Sequence, residues 1–272
     1  MVFFLLPAVI LCLIYFSALV LHLYRHRHRL RDAYANDFWD GAKYFLSTLW
    51  DGHGWIWHGY EVVGLENIPE KGLLIYYHGA LPIDIYYLMA KYYLFKGKVI
   101  HAVGDRFLFK VPGLKLLFEV FKVTPGTVDH CVKALQSELL TIAPGGLYEA
   151  QFGNNLYNLM WKDRIGFAKV ALKAKVPVIP VFTQNIRESF RAVSFFRNFF
   201  LKIHFKSRLP VLPVYGGFPV KLRTYIGEPI LYDPTLTPEQ LAMKTADSIQ
   251  KLISKHQCVP GSIFRALLDR FR

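Results

Sequence analysis

Along the chain, apolar and polar positions recur with three different periods. Residues 2–24 carry no acidic side chain, lysine or arginine over about the length a bilayer core demands, roughly 20 residues. The charge comes afterwards, as Arg25, Arg27, Arg29 and Arg31 interleaved with His26 and His28. A cleavable leader carries its positive charge ahead of a shorter apolar stretch. This order therefore predicts a transmembrane helix, with the basic flank and the bulk of the chain on the cytosolic side. Residues 32–60 mix polar side chains with Trp39, Trp50, Trp55 and Trp57, the composition of a segment at headgroup level.

Beyond residue 60, short apolar runs bounded by Gly and Pro alternate with stretches of helical period. Residues 61–65, 73–78, 140–143, 176–182 and 221–226 read as strands, as does the stretch starting at Val99. Residues 83–95, 127–139, 166–174 and 237–256 read as helices, the last with a start marked by Thr237-Pro238-Glu239-Gln240. This alternation predicts an α/β domain with a largely parallel or mixed sheet flanked by helices. The helix over 83–95 is apolar almost all round and so belongs inside protein or lipid. A second span over 73–95 would be long enough, but it would place His78, Gly79 and Asp84 in the bilayer.

Residues 187–208 interleave Arg187, Arg191, Arg197, Lys202, Lys206 and Arg208 with Phe190, Phe195, Phe196, Phe199, Phe200 and Phe205. Cores hold few cations and soluble surfaces little phenylalanine, so the stretch predicts a helix lying in a membrane interface. Residues 263–272 are a second basic amphipathic piece. The organisation that follows is an anchor and basic flank over 1–31, an interfacial segment over 32–60, and one folded domain over 61–272.

Composition sharpens this picture. The chain's 272 residues suffice for one sizeable α/β domain. Lys and Arg number 33 against 20 Asp and Glu, for a net charge of +13, while 53% of residues are hydrophobic. Basic residues threaded among aromatics suit an anionic membrane surface better than nucleic acid. Cys12, Cys131 and Cys258 are far apart and odd in number, which points to a reducing compartment and ordinary packing. There is no Gly-x-Ser-x-Gly elbow, phosphate-binding loop or dinucleotide fingerprint, and His53 and His58 lack a metal-binding pattern. No metal and no cofactor are expected.

The candidate chemistry begins where the apolar run 73–77 delivers His78 to a turn, with Asp84 following after five intervening residues. On a continuous helix that separation would turn Asp84 about 240° away from His78. Gly79-Ala80 must then form a non-helical turn. Pro82 suits a first helical turn, and Asp84 would lie where the helix dipole favours a negative charge. A histidine that removes a hydroxyl proton, oriented by a carboxylate, is the chemistry this layout offers. The plainer alternative is a histidine that merely ends a buried strand. Three further blocks follow: Gly104-Asp105-Arg106-Phe107 with Lys110; Pro144-Gly145-Gly146-Leu147-Tyr148-Glu149; and Val176-Pro177-Val178-Ile179-Pro180-Val181, whose prolines suggest a strand edge.

In this order the four blocks resemble the glycerolipid acyltransferases related to bacterial lysophosphatidic acid acyltransferase. The longer phrases at 49–61, 182–188 and 215–225 are similar to a membrane-anchored branch of that family. The resemblance implies an acyltransferase-like α/β fold over 61–272 and residence in the endoplasmic reticulum membrane. It also implies transfer of a fatty acyl group, from acyl-CoA or a phospholipid, to the free hydroxyl of diacylglycerol or an ether-linked analogue, making triacylglycerol-type lipid. His78 would be the base and Asp84 its orienting partner. Gly79, Pro144, Gly145, Gly146 and Glu149 would surround the substrate, with the Gly145 and Gly146 N–H groups helping to hold an oxyanion or the acceptor. Arg106 and Lys110 would meet donor phosphates.

Two departures matter. The wider family separates histidine from aspartate by four residues, and its third block reads Pro-Glu-Gly-Thr-Arg, with an arginine suited to an acceptor phosphate. Here Tyr148 stands where relatives carry arginine, which predicts a neutral acceptor. Lysophospholipid acylation is the enzymatic alternative. A non-catalytic lipid-binding protein is the other, since residues 187–208 would suffice for it.

Overall fold

The computed structural model describes residues 2–27, 38–161, 163–193, 195, 197–207 and 209–271. The expected basic run is described only as far as Arg27; its continuation to Arg31, the start of the 32–60 segment, and Phe196 and Arg208 lie outside the described residues. Eleven helices and nine strands appear among the described residues. In chain order they are α1 (Val2–Arg27), α2 (Asp40–His58), β1 (Glu61–Val63), β2 (Gly72–Tyr76), α3 (Ile83–Lys96), β3 (His101–Gly104), α4 (Lys115–Val120), β4 (Val123–Pro125), α5 (Val128–Leu135), β5 (Leu139–Ile142), α6 (Gly146–Phe152), α7 (Gly166–Ala174), β6 (Val178–Gln184), α8 (Ile186–Ser189), β7 (Phe190–Ala192), α9 (Arg197–Ser207), β8 (Val214–Gly216), β9 (Arg223–Ile226), α10 (Pro238–His256) and α11 (Ile263–Leu268).

Seven strands form one sheet in the order β1-β9-β6-β2-β5-β3-β4. From β6 to β4 the strands are parallel; β9 runs antiparallel to β6, and β1 runs parallel to β9. The centre is β2, all of whose residues are buried, as expected of a parallel strand covered on both faces. Its period-2 alternation divides the core. Leu73 and Ile75 join Leu135 of α5, Phe167 and Ala171 of α7, and Leu241, Ile249 and Ile253 of α10. Leu74 and Tyr76 face Ile85, Leu88 and Tyr92 of α3. The helix predicted over 83–95 is thus buried in protein, between the sheet and α2, and not in lipid.

Pro180 corrects the reading of the fourth block. It lies in an interior strand, between β2 and β9, with its carbonyl accepting the Gly227 N–H at 2.8 Å. The lost proline donor is tolerated because the ladder to β9 ends there, after Val181↔Ile226.

Among the described residues, Leu6–Arg27 of α1 is the one helical stretch long and apolar enough to cross a membrane. Its two sides differ. Ile10, Ser17, Ala18 and Leu21 are buried, and Ser17 Oγ accepts Trp50 Nε1 of α2 at 3.1 Å, while Leu11, Phe16, Leu19 and Leu23 are exposed. The stretch 187–208 is not one helix. It divides into the buried α8, the strand β7 and the exposed α9, because Ile186, Arg187, Glu188 and Ser189 pack into the core.

Candidate active site

Parallel strands bring the candidate blocks to one edge. Register pairs Ile75 of β2 with Ile142 of β5, and Ala102 of β3 with Thr141. Neighbouring strands lie about 4.8 Å apart. The turn carrying His78 is therefore beside the Pro144-Gly145-Gly146 turn, and that turn is beside Gly104-Arg106, all at the carboxyl ends of their strands, where α/β sheets hold ligands. Arg106, Lys110, Gly146, Leu147, Ser207 and Leu209 line a cavity of about 460 Å³, which joins the second and third blocks to the end of α9.

His78 is half-buried one residue past Tyr77, and its Nδ1 lies 2.7 Å from the Gly79 carbonyl. A carbonyl can only accept, so Nδ1 carries the proton and Nε2 keeps its lone pair. Burial lowers the ring's pKa to about 4, with the Gly79 carbonyl opposing that shift and the Arg187 charge adding to it. His78 is thus neutral at pH 7 and equipped to accept a proton through Nε2. Gly79 has no room for a side chain, since a Cβ there would come 2.5 Å from Ile186 Cγ1.

Asp84 lies in the first turn of α3 as expected, only 1% exposed. Among the described residues no hydrogen bond joins it to His78, and its Oδ1 has no partner. The Gly79 carbonyl, one residue from the ring, occupies the Nδ1 position that the sequence assigned to Asp84. Burial raises the Asp84 carboxyl to about pKa 7, against the opposing pull of the Thr183 hydroxyl. Behind it, Thr183, Thr224 and Tyr60 form a buried chain of hydroxyls at 2.8 and 2.9 Å, and Tyr60 also donates to the Asp84 main-chain carbonyl at 3.3 Å.

Glu149 is fully buried in α6 and both its oxygens serve backbone: Oε2 accepts the His78 N–H and Oε1 the Met160 N–H, each at 2.9 Å. That geometry holds the histidine turn and leaves neither oxygen committed to substrate. Arg164 donates to the Pro144 and Gly145 carbonyls at 3.0 and 2.7 Å, fixing the glycine turn from behind. The Gly146 N–H is taken by the Ala143 carbonyl at 3.0 Å, so of the two glycines only Gly145 is a candidate oxyanion donor. Tyr148 does not face this edge; its ring packs with Phe152, His204 and Phe205, where α9 covers α6.

The sequence reading missed Arg187. It is 2% exposed and donates to the carbonyls of His78, Glu149 and Ala150 and to the Tyr77 hydroxyl. The available signal was its place three residues past β6, at the same strand edge as the other blocks.

A half-buried, base-competent histidine beside a glycine turn, at the carboxyl edge of a mixed sheet with apolar helices at its rim, defines an acyltransferase of the lipid-handling type. The chain belongs to the acyltransferase family, whose characteristic pattern matches residues 59–184. It is 52% identical over 270 residues to the Bos taurus "DGAT1/2-independent enzyme synthesizing storage lipids", covering 98% of this chain and 80% of that protein. The Homo sapiens protein of the same name is 51% identical over 274 residues, covering 100% of this chain and 84% of its own length. The fold is also that of the 1-acyl-sn-glycerophosphate (LPA) acyltransferase PlsC from Thermotoga maritima, with a TM-score of 0.60 at 17% identity over 90% of this chain and 94% of the bacterial one.

Proposed function

We propose that this acyltransferase moves a fatty acyl group onto the free hydroxyl of diacylglycerol, or an ether-linked analogue, to form triacylglycerol-type storage lipid. The observation that carries the chemistry is the His78–Gly79 contact, which leaves Nε2 as the acceptor for a hydroxyl proton. The acceptor oxygen attacks the acyl carbonyl as Nε2 takes its proton; the bond to the donor's leaving group then breaks and the imidazolium returns that proton to the departing group, with no acyl-enzyme in between. Asp84 acts as the buried negative charge that stabilises the imidazolium. The Gly145 N–H assists the oxyanion. Arg106 and Lys110, on the wall of the 460 Å³ cavity, meet the phosphates of an acyl-CoA or phospholipid donor.

The neutral acceptor is supported by the third block. Tyr148, where the relatives' third block carries arginine, is uncharged and packs under α9, so the block itself offers no cation to a phosphorylated acceptor. The storage-lipid assignment draws on the relatives' name. We place the enzyme in the endoplasmic reticulum membrane with its catalytic edge cytosolic, anchored by α1 and seated by the exposed Phe195, Phe199 and Phe205 around α9. Purified protein in phospholipid vesicles, given diacylglycerol and either labelled acyl-CoA or labelled phospholipid, tests the reading. Labelled triacylglycerol from one donor supports it; label passing from acyl-CoA into phospholipid alone, when lysophospholipid is also present, would favour the lysophospholipid alternative.

A further inference from the structure

We propose that Arg187 and Glu149 are positioning residues that act through His78, holding the two polar groups of its peptide backbone so that the imidazole meets the acceptor hydroxyl at a fixed angle. The inference rests on His78 being the base.

The geometry is a clamp from opposite sides. Glu149 Oε2 accepts the His78 N–H at 2.9 Å, and an Arg187 guanidinium nitrogen donates to the His78 carbonyl at 2.8 Å. The same guanidinium holds the Glu149 and Ala150 carbonyls of α6 and the Tyr77 hydroxyl, so the turn after β2 and the helix after the glycine turn are fixed to one planar group. A fork of this shape is what lysine cannot supply.

The chain makes room for the clamp with glycines. A Cβ on Gly153 would lie 2.0 Å from an Arg187 nitrogen, and one on Gly145 would lie 2.4 Å from the Glu149 carboxylate. Both residues have ordinary backbone angles, φ −66° and −65°, so what they provide is the absence of a side chain rather than a left-handed turn. The pair is also electrostatically joined. Burial raises the Glu149 pKa, and the Arg187 charge is among the influences that bring it back down.

Neither residue is oriented for substrate, so the expected signature is a loss in kcat with KM unchanged. Small misplacements of catalytic groups cost about a hundredfold. The test is steady-state acylation of diacylglycerol in vesicles by Arg187→Lys, which keeps the charge and loses the fork, and by Glu149→Gln, which loses one acceptor. Thermal unfolding of each is measured alongside. The expected result is kcat down tenfold or more in each, KM for donor and acceptor within twofold of wild type, and a folded protein at assay temperature. In a His78→Ala background, adding Arg187→Lys should lower the residual rate no further.

Wild-type kcat in Arg187→Lys, or losses that only track the fraction unfolded, would overturn the proposal. Full activity in His78→Ala alone would instead overturn the reading it rests on.

Discussion

The catalytic edge and the lipid-facing helices solve opposite problems with the same residue types. At the edge, arginine and glutamate are buried, and the polar atoms of Arg187 and Glu149 described above are spent on backbone groups and the Tyr77 hydroxyl. Around α9 and on the exposed side of α1, Lys202, Lys206, Arg25 and Arg27 stay in solvent and the apolar side chains are left uncovered: Phe195 is 70% exposed, Phe199 60% and Leu23 59%. An unpaired buried charge is expensive, so the interior charges are held in fixed geometry. An interfacial helix needs only an apolar side and a solvated one. Precision is therefore concentrated at the strand ends and adhesion at the periphery, and the two should fail separately when mutated.

The largest effect should come from the edge. His78→Ala is expected to lower acyl transfer by about 10²- to 10⁴-fold, the usual worth of a general base, while vesicle flotation shows membrane binding unchanged. Loss of binding together with activity would merge the two regions.

Asp84→Asn is the next test. If the ionised carboxyl stabilises the imidazolium, kcat/KM in the wild type falls as pH drops through about 7, where that carboxyl takes up its proton. In the variant the rate is low and that limb is gone; a limb that persists near pH 7 would remove Asp84 from the site. Because its folded pKa is raised, the native state holds this proton more tightly than the unfolded chain does. Asp84 thus weakens stability as pH rises from about 4 to 7. Asp84→Asn should accordingly melt at or above the wild-type temperature at pH 8, which differential scanning would show.

At the periphery the effects are smaller and of another kind. Phe195→Glu with Phe199→Glu removes two exposed aromatic side chains from the interfacial side, and should weaken vesicle binding by about a hundredfold, what two such side chains contribute at the lower end of about 1.5 kcal/mol each. Turnover in detergent micelles should hold. Tyr148→Arg should do least. It puts a guanidinium among Phe152, His204 and Phe205, and should lower the melting temperature by a few degrees without creating activity on a phosphorylated acceptor. A rise in that activity would show that the position reaches the substrate.

Legibility in the sequence divides along the same line. Local rules carried α10, whose capping box pairs Thr237 with Gln240 as its first residues suggest, and they carried β2, α3 and α7 as apolar runs of the right period. They also brought His78 to a turn and Asp84 to a first helical turn. The clamp was not legible, because its members come from the turn after β2, from α6 and from α8, and meet only through sheet topology. Arg187, read locally, looked like one more cation in a basic aromatic stretch. The same locality hid the Gly79 carbonyl as the partner of His78 Nδ1, since a turn's backbone direction is invisible to spacing. Pro180 misled for the converse reason: composition suggests an edge, and only the register shows a ladder ending beside an interior strand.

The most direct test of the account is a competition in one vesicle preparation, with diacylglycerol and lysophosphatidic acid at equal surface concentration, one labelled acyl donor, and His78→Ala as the blank. A site whose third block offers the acceptor no cation should acylate diacylglycerol faster, with product formation in the blank down about a hundredfold or more. Faster acylation of lysophosphatidic acid would contradict this account and assign Arg106 to the acceptor's phosphate.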